Sequence, residues 1–156
     1  MSTNDVTVKA VPPVRVASVS GIAESDAHEH VGPVAQALFE RLFGALERDG
    51  VPPAGTPLAT YAPAGGARLT VTAACPVGED TVDGVQLTVL DGIGQAACYV
   101  HHGTMATIDA SYRILTTWIE DNGYRTDGTA REVHLVAHPD ADDHWRTELQ
   151  LPITPR

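Results

Sequence analysis

Two stretches decide the fold: VGPVAQALFERLFGALERDG at residues 31–50 and MATIDASYRILTTWIEDNG at residues 105–123. In the first, Val31, Val34, Leu38, Leu42, Ala45 and Leu46 recur at helical spacing, and Gly50 supplies a stop. Pro33 suits the opening turn, where a missing N–H costs nothing. In the second, Met105, Ile108, Tyr112, Leu115 and Ile119 form the stripe, with Thr104 as N-cap and Asn122-Gly123 as the end. The two stretches rhyme at an offset of 73. Ala37 then meets Ala110, Phe39 meets Tyr112, Leu42 meets Leu115, Leu46 meets Ile119, Gly50 meets Gly123 and Gly55 meets Gly128.

Outward from each helix the periodicity changes to that of strands. Before the first helix, Val14 to Ser20 alternates behind Pro12-Pro13; after it, about 57–62 and 68–75 read as two strands around the turn Pro63–Gly66. Around the second helix, about 85–90 and 94–101 precede it, while 131–137 and 145–151 follow it. Both halves finish on an apolar strand with a proline, CPV at 75–77 and LPI at 151–153. The expected fold is α+β: one domain over residues 1–156, built as tandem duplicated β-α-β-β units. Repeat 1 spans about 6–77 and repeat 2 about 84–153. Neither small sheet can cover its own faces, so the halves should pair with pseudo-twofold symmetry.

Composition narrows the function. The chain has 156 residues, a formal charge of −10, and 20 acidic against 10 basic side chains. That balance repels a phosphate backbone, so no direct nucleic-acid partner is expected. No apolar run approaches a membrane span, and the N-terminus lacks a signal-peptide pattern, so the expectation is a cytoplasmic protein without a membrane partner. Oligomeric state stays open. Cys75 and Cys98 sit in apolar runs and read as core residues. The seven histidines show no metal-site spacing, and Asp140, Asp142 and Asp143 read as a hairpin turn, so neither metal nor cofactor is expected.

Candidate site residues concentrate in the second half. Strand alternation puts Glu132, His134 and Val136 on one face of their strand, and Tyr99 and His101 on a common face of theirs. A carboxylate between apolar neighbours is expensive to bury without a partner. Glu132 is therefore a surface residue on an open sheet face, a partner of Arg131 or Arg113, or a functional acid. Glu148 carries the same ambiguity, on a face that looks solvated. Trp118 is either core packing or the flat wall of a cleft. Tyr99, Tyr112, Trp118, Tyr124 and Trp145 all fall in this half.

The order of motifs resembles the GyrI-like family, the effector-binding domain of multidrug-responsive transcription regulators. The matching residues are His101-x-Gly103 before a helix, Trp118 near its end, and Asn122-Gly123-Tyr124 with Gly128. Arg131-Glu132-Val133-His134 and Trp145-x-Thr147-Glu148-Leu149 leading to Pro152 complete the pattern. The resemblance implies a small-molecule cleft between the repeats with Glu132 at its heart. It implies flanking aromatics, with Tyr61, Tyr99, Tyr112, Trp118 and Trp145 as the candidates, and His101 and His134 are further ligand-binding candidates. His134 stands where the family often has tyrosine, which bears on ligand preference and pH response.

The expected function is a stand-alone multidrug-type binding protein for amphipathic, aromatic or cationic compounds, since the strands leave no room here for a helix-turn-helix domain. Electrostatic attraction and cation–π contact support that reading. The alternative is a hydrolase opening strained cyclopropane-bearing DNA-alkylating natural products. Glu132 would then be the catalytic residue that activates water, and Tyr99, His101 or His134 would supply a proton. A gyrase-protecting role is a further alternative that the family's name suggests.

Overall fold

A computed structural model describes residues 5–136 and 144–156. The chain divides into two compact units, residues 13–91 and residues 92–156 joined by residues 1–12. In chain order the elements are β1 (Thr7–Val11), β2 (Val14–Ala23), α1 (His28–Arg48), β3 (Leu58–Pro63), β4 (Leu69–Pro76) and β5 (Gln86–Leu90). Then come β6 (Ile93–His102), α2 (Ile108–Asp121), β7 (Tyr124–Thr126), β8 (Ala130–Val136) and β9 (Arg146–Pro155). The fold is α+β, and both units repeat one plan.

In residues 13–91, β4 lies between β3 and β2, all antiparallel, and β5 pairs with the other edge of β2. Ala17, Val19 and Gly21 point toward α1, in register with Cys75, Ala73 and Val71. Small side chains on this face let the helix approach. A Cβ at Gly21 would lie 3.5 Å from Leu38. The buried stripe of α1 is Leu38, Leu42, Ala45 and Leu46, as its spacing predicts. Gly50, at φ 67°, ends the helix with paired bonds, Gly50 N–H to Glu47 O and Val51 N–H to Leu46 O.

The helix opens earlier than its sequence suggests. It starts at His28, so Pro33 lies inside it rather than in the first turn. The Ala27 carbonyl accepts from the N–H groups of both His30 and Val31 at 2.9 Å, and the Ser25 hydroxyl accepts from Ala27 N–H at 3.1 Å. These bonds stabilise a turn before the proline.

In the other unit, β9 lies between β8 and β6 in an antiparallel sheet. β1 pairs with the outer side of β6, and β7 with the end of β9. Ala97, Tyr99, Leu149, Leu151 and Ile153 form the core with Ile108, Leu115 and Ile119 of α2. The plan matches its counterpart: the strand that follows the helix by one hairpin returns to the middle of the sheet. β7 is three residues long, too short to show a period of two, and the spacing of residues 122–128 gave no sign of it. Its pairing with Ile153–Pro155 carries β9 past Leu151.

Both cysteines are free and buried, as their apolar settings predict. Burial pushes the Cys98 thiol up to about 11, which keeps it protonated and unreactive. The turn proposed around Asp140–Asp143 lies outside the described residues. No helix among the described residues is long and apolar enough to cross a membrane.

Candidate functional site

The register of the second sheet brings predicted residues into rows. Glu132 pairs with Leu149, which pairs with Tyr99; one step along, His134 pairs with Thr147, which pairs with His101. Side chains on one face repeat every second residue, so all six project toward the side that α2 covers. Alternation within β9 is the signal for Leu149 and Thr147 as the middle members. Strand order cannot be read from it.

Glu132 is 4% exposed. It is neither a solvated surface residue nor isolated: the Tyr112 hydroxyl on α2 donates to its Oε2 at 2.6 Å. That length is typical of a hydroxyl bonded to a carboxylate, about 2.5–2.7 Å. Six residues further along α2, Trp118 stacks on Tyr124, with ring centroids 6.1 Å apart and planes 11° apart. Both rings pack against the same core. A carboxylate, a phenol and a flat aromatic pair thus share one helix–sheet unit.

His101 is held by bonds at both of its ring nitrogens. It is 3% exposed, with Nδ1 2.7 Å from the Ser111 hydroxyl and Nε2 2.7 Å from the Thr104 carbonyl. A carbonyl only accepts, so Nε2 carries a proton and donates to Thr104, while Nδ1 shares a hydrogen bond with the Ser111 hydroxyl. The imidazole clips the end of β6 to the entrance of α2 across Gly103, whose φ is 103°. Thr104 makes no side-chain cap, and Met105–Thr107 form a 3-10 turn before α2 begins. The expected side-chain cap is therefore not made; the Thr104 carbonyl instead accepts from His101 Nε2 and from Thr107 N–H.

The remaining candidates are dispersed. Tyr99 is 1% exposed within the core, its phenol pushed up by burial and then by the Asp5 charge. Trp145 is half-buried just before β9, and its carbonyl accepts from Gly103 N–H at 2.9 Å. Tyr61 belongs to residues 13–91, on β3, and is also buried. His134 is partly buried, and desolvation pulls its imidazole down to about 4. On the opposite sheet face Glu148 is not solvated: Lys9 sits 2.9 Å from Oε1, and Gln150 donates to it at 2.7 Å. Among the described residues no three His, Cys, Asp or Glu side chains gather as a metal ion would require.

The first unit provides an internal control. There Ala59 pairs with Ala73, which pairs with Val19, and this row corresponds to Glu132–Leu149–Tyr99. Phe39 occupies the helix position that matches Tyr112. Phenol and carboxylate occur together in one unit and are both replaced by apolar groups in the other. The β-α-β-β plan therefore closes without a buried acid. If the hydroxyl exists to serve the carboxylate, Glu132→Ala with Tyr112→Phe should be less destabilising than the sum of the two single changes. A coupling of about 1 kcal/mol in urea unfolding is expected, and strict additivity would disprove it.

Residues 4–154 match the GyrI-like family, described as a GyrI-like small molecule binding domain. Among solved structures, the EcmrR C-terminal domain superposes with a TM-score of 0.75 at 19% identity, covering 97% of this chain and 98% of that one. SAV2435 bound to tetraphenylphosphonium gives 0.69 at 8% identity, covering 96% and 93%. A hydrolase from Listeria innocua gives 0.63 at 18% identity, covering 96% and 92%. At such identities the likeness establishes the fold. None of the curated protein sequences matches the chain.

Proposed function

We propose, from the premise that this chain belongs to the GyrI-like small-molecule-binding family, that its ligands are amphipathic, aromatic or cationic compounds. Glu132 supplies the charge that selects them. The observation that carries this reading is the buried Tyr112–Glu132 pair, present under α2 and replaced by Phe39 and Ala59 in the sister unit. A buried carboxylate is a costly feature that the fold does not require, so its use lies elsewhere. A delocalised cation fits its chemistry. It carries charge without demanding lone pairs, so Tyr112 can keep donating to Oε2 while the ligand is attracted to the carboxylate. Tyr112 and the Trp118–Tyr124 stack offer flat surfaces that bury apolar area without directional bonds. His134, neutral at physiological pH, adds no opposing charge.

The hydrolase reading draws no comparable support. Of the proton sources it names, His101 has both ring nitrogens bonded, to Ser111 and Thr104, and Tyr99 is buried in the core, which leaves His134, two residues from Glu132 on β8.

Calorimetric titration with tetraphenylphosphonium, the cation in the SAV2435 structure, and with neutral triphenylphosphine oxide tests the proposal. The cation should bind at least tenfold more tightly than the oxide. Glu132→Gln keeps an acceptor for Tyr112 and should weaken the cation about tenfold, about 1.4 kcal/mol, while leaving the oxide unchanged. Equal losses for both ligands, or no binding of either, would overturn it.

A further inference from the structure

In residues 13–91 the sheet has an unfinished edge. β2 runs to Ala23 and pairs with β4 from Val16 to Ala23, but β5 covers its other side only from Val14 to Ser18. The cause lies in the chain just before β5. Gly84 takes a φ of 80°. Asp83 is held away by its carbonyl accepting from Arg48 at 2.6 Å and its N–H donating to Asp49 at 2.9 Å. From Ser20 onward, no second strand pairs with β2 among the described residues.

An open groove of about 400 Å³ lies at this edge, bordered by Ser20, Arg41, Gly84, Val85 and Gln86 with neighbouring β2 backbone. Ser20 points to the sheet face away from α1, whereas Arg41 reaches over from α1 itself. The groove therefore straddles the edge rather than lying on either face. Arg41 makes one bond to the Gly84 carbonyl at 3.4 Å. A guanidinium carries five N–H donors in a planar fork suited to a carboxylate.

We propose that this edge accepts the carboxyl end of an extended peptide, added antiparallel to β2 with its terminal carboxylate held by Arg41. Direction and terminus both follow from geometry. A strand continuing the sense of β5 runs toward Gly84, and Gly84-Val85 block its further progress, so a chain end must lie there. The reverse direction would set an ammonium against the guanidinium. Main-chain bonds to β2 supply affinity with little sequence preference. Ile22, 48% exposed on this strand, favours an apolar side chain within the last three residues of the guest. This site is separate from Glu132 and does not depend on the small-molecule reading.

The test uses the full chain and a fluorescein-labelled pool of hexapeptides with valine, isoleucine or leucine in the last three positions. One pool ends in a free carboxylate and the other in an amide, and fluorescence polarisation reads binding. The carboxylate pool should bind at least tenfold more tightly than the amide pool. Arg41→Gln should remove that difference, and Arg41→Lys should restore part of it. Glu132→Gln should leave peptide binding unchanged, and Arg41→Gln should leave tetraphenylphosphonium binding unchanged, so the two proposals fail independently. Equal binding of acid and amide pools, displacement of the peptide by an equal concentration of acetate, or no binding by about 1 mM would overturn the proposal.

Discussion

Leu115→Ala is expected to lower the unfolding free energy by about 2–5 kcal/mol, with the midpoint in urea falling and the slope unchanged. Leu115 is 0% exposed at the centre of the α2 stripe and shares its core with Tyr99, Ile119 and Leu149. Truncation removes the transfer free energy of the lost carbons and leaves a cavity that a sheet under a helix fills poorly. Folded domains of this size hold only about 5–15 kcal/mol in total, so the loss is a large fraction. A drop below about 1 kcal/mol would show that α2 is not docked through this stripe. The residue also bears on binding, because α2 carries Tyr112 to within 2.6 Å of Glu132. A loosened helix should blur cation selectivity without touching the carboxylate.

Acid should weaken the fold through His134. Its imidazole titrates near 6.5 in the unfolded chain and at about 4 in the folded one, because burial disfavours the charged form. Between those values the unfolded state binds the extra proton. The contribution is therefore fully present above about pH 6.5 and is lost as pH falls toward 4. At pH 5 the loss relative to pH 7 is about 2 kcal/mol, from the standard conversion of a pKa shift. Carboxylates titrate lower and add their own slope, so the informative quantity is the difference from His134→Gln. That difference in urea stability should change by about 2 kcal/mol between pH 7 and pH 5. Glu132 two residues away, and His101 beyond Thr147 in the same row, stay present in both proteins. A difference independent of pH would show that His134 is solvated in the folded state.

Both expectations rest on α2 closing over the sheet, and that is also where sequence and structure part company. Helical spacing put Leu115, Ile119 and Tyr112 on one stripe, and strand alternation put Glu132 and His134 on one face. These are near-neighbour relations, set by 3.6 residues per turn and by the two-residue pleat. The glycine stops at Gly50 and Gly123 and the β-α-β-β duplication were legible for the same reason. They are local conformational demands repeated at a constant offset.

Long-range pairing decided the rest. Glu132 looks equally like a surface residue until register sets it beside Leu149 and α2 brings the Tyr112 hydroxyl onto it. His101 reads as a free acid–base group until the turn at Gly103 delivers both of its nitrogens to Thr104 and Ser111. The unfinished edge at Ser20 follows from the turn at Gly84, beyond which β5 no longer pairs with β2, a strand 68 positions away at Ser18 and Gln86. Periodicity carries information over a few residues. Register, strand order and burial depend on contacts between segments far apart in the chain, and those contacts determine which polar groups meet.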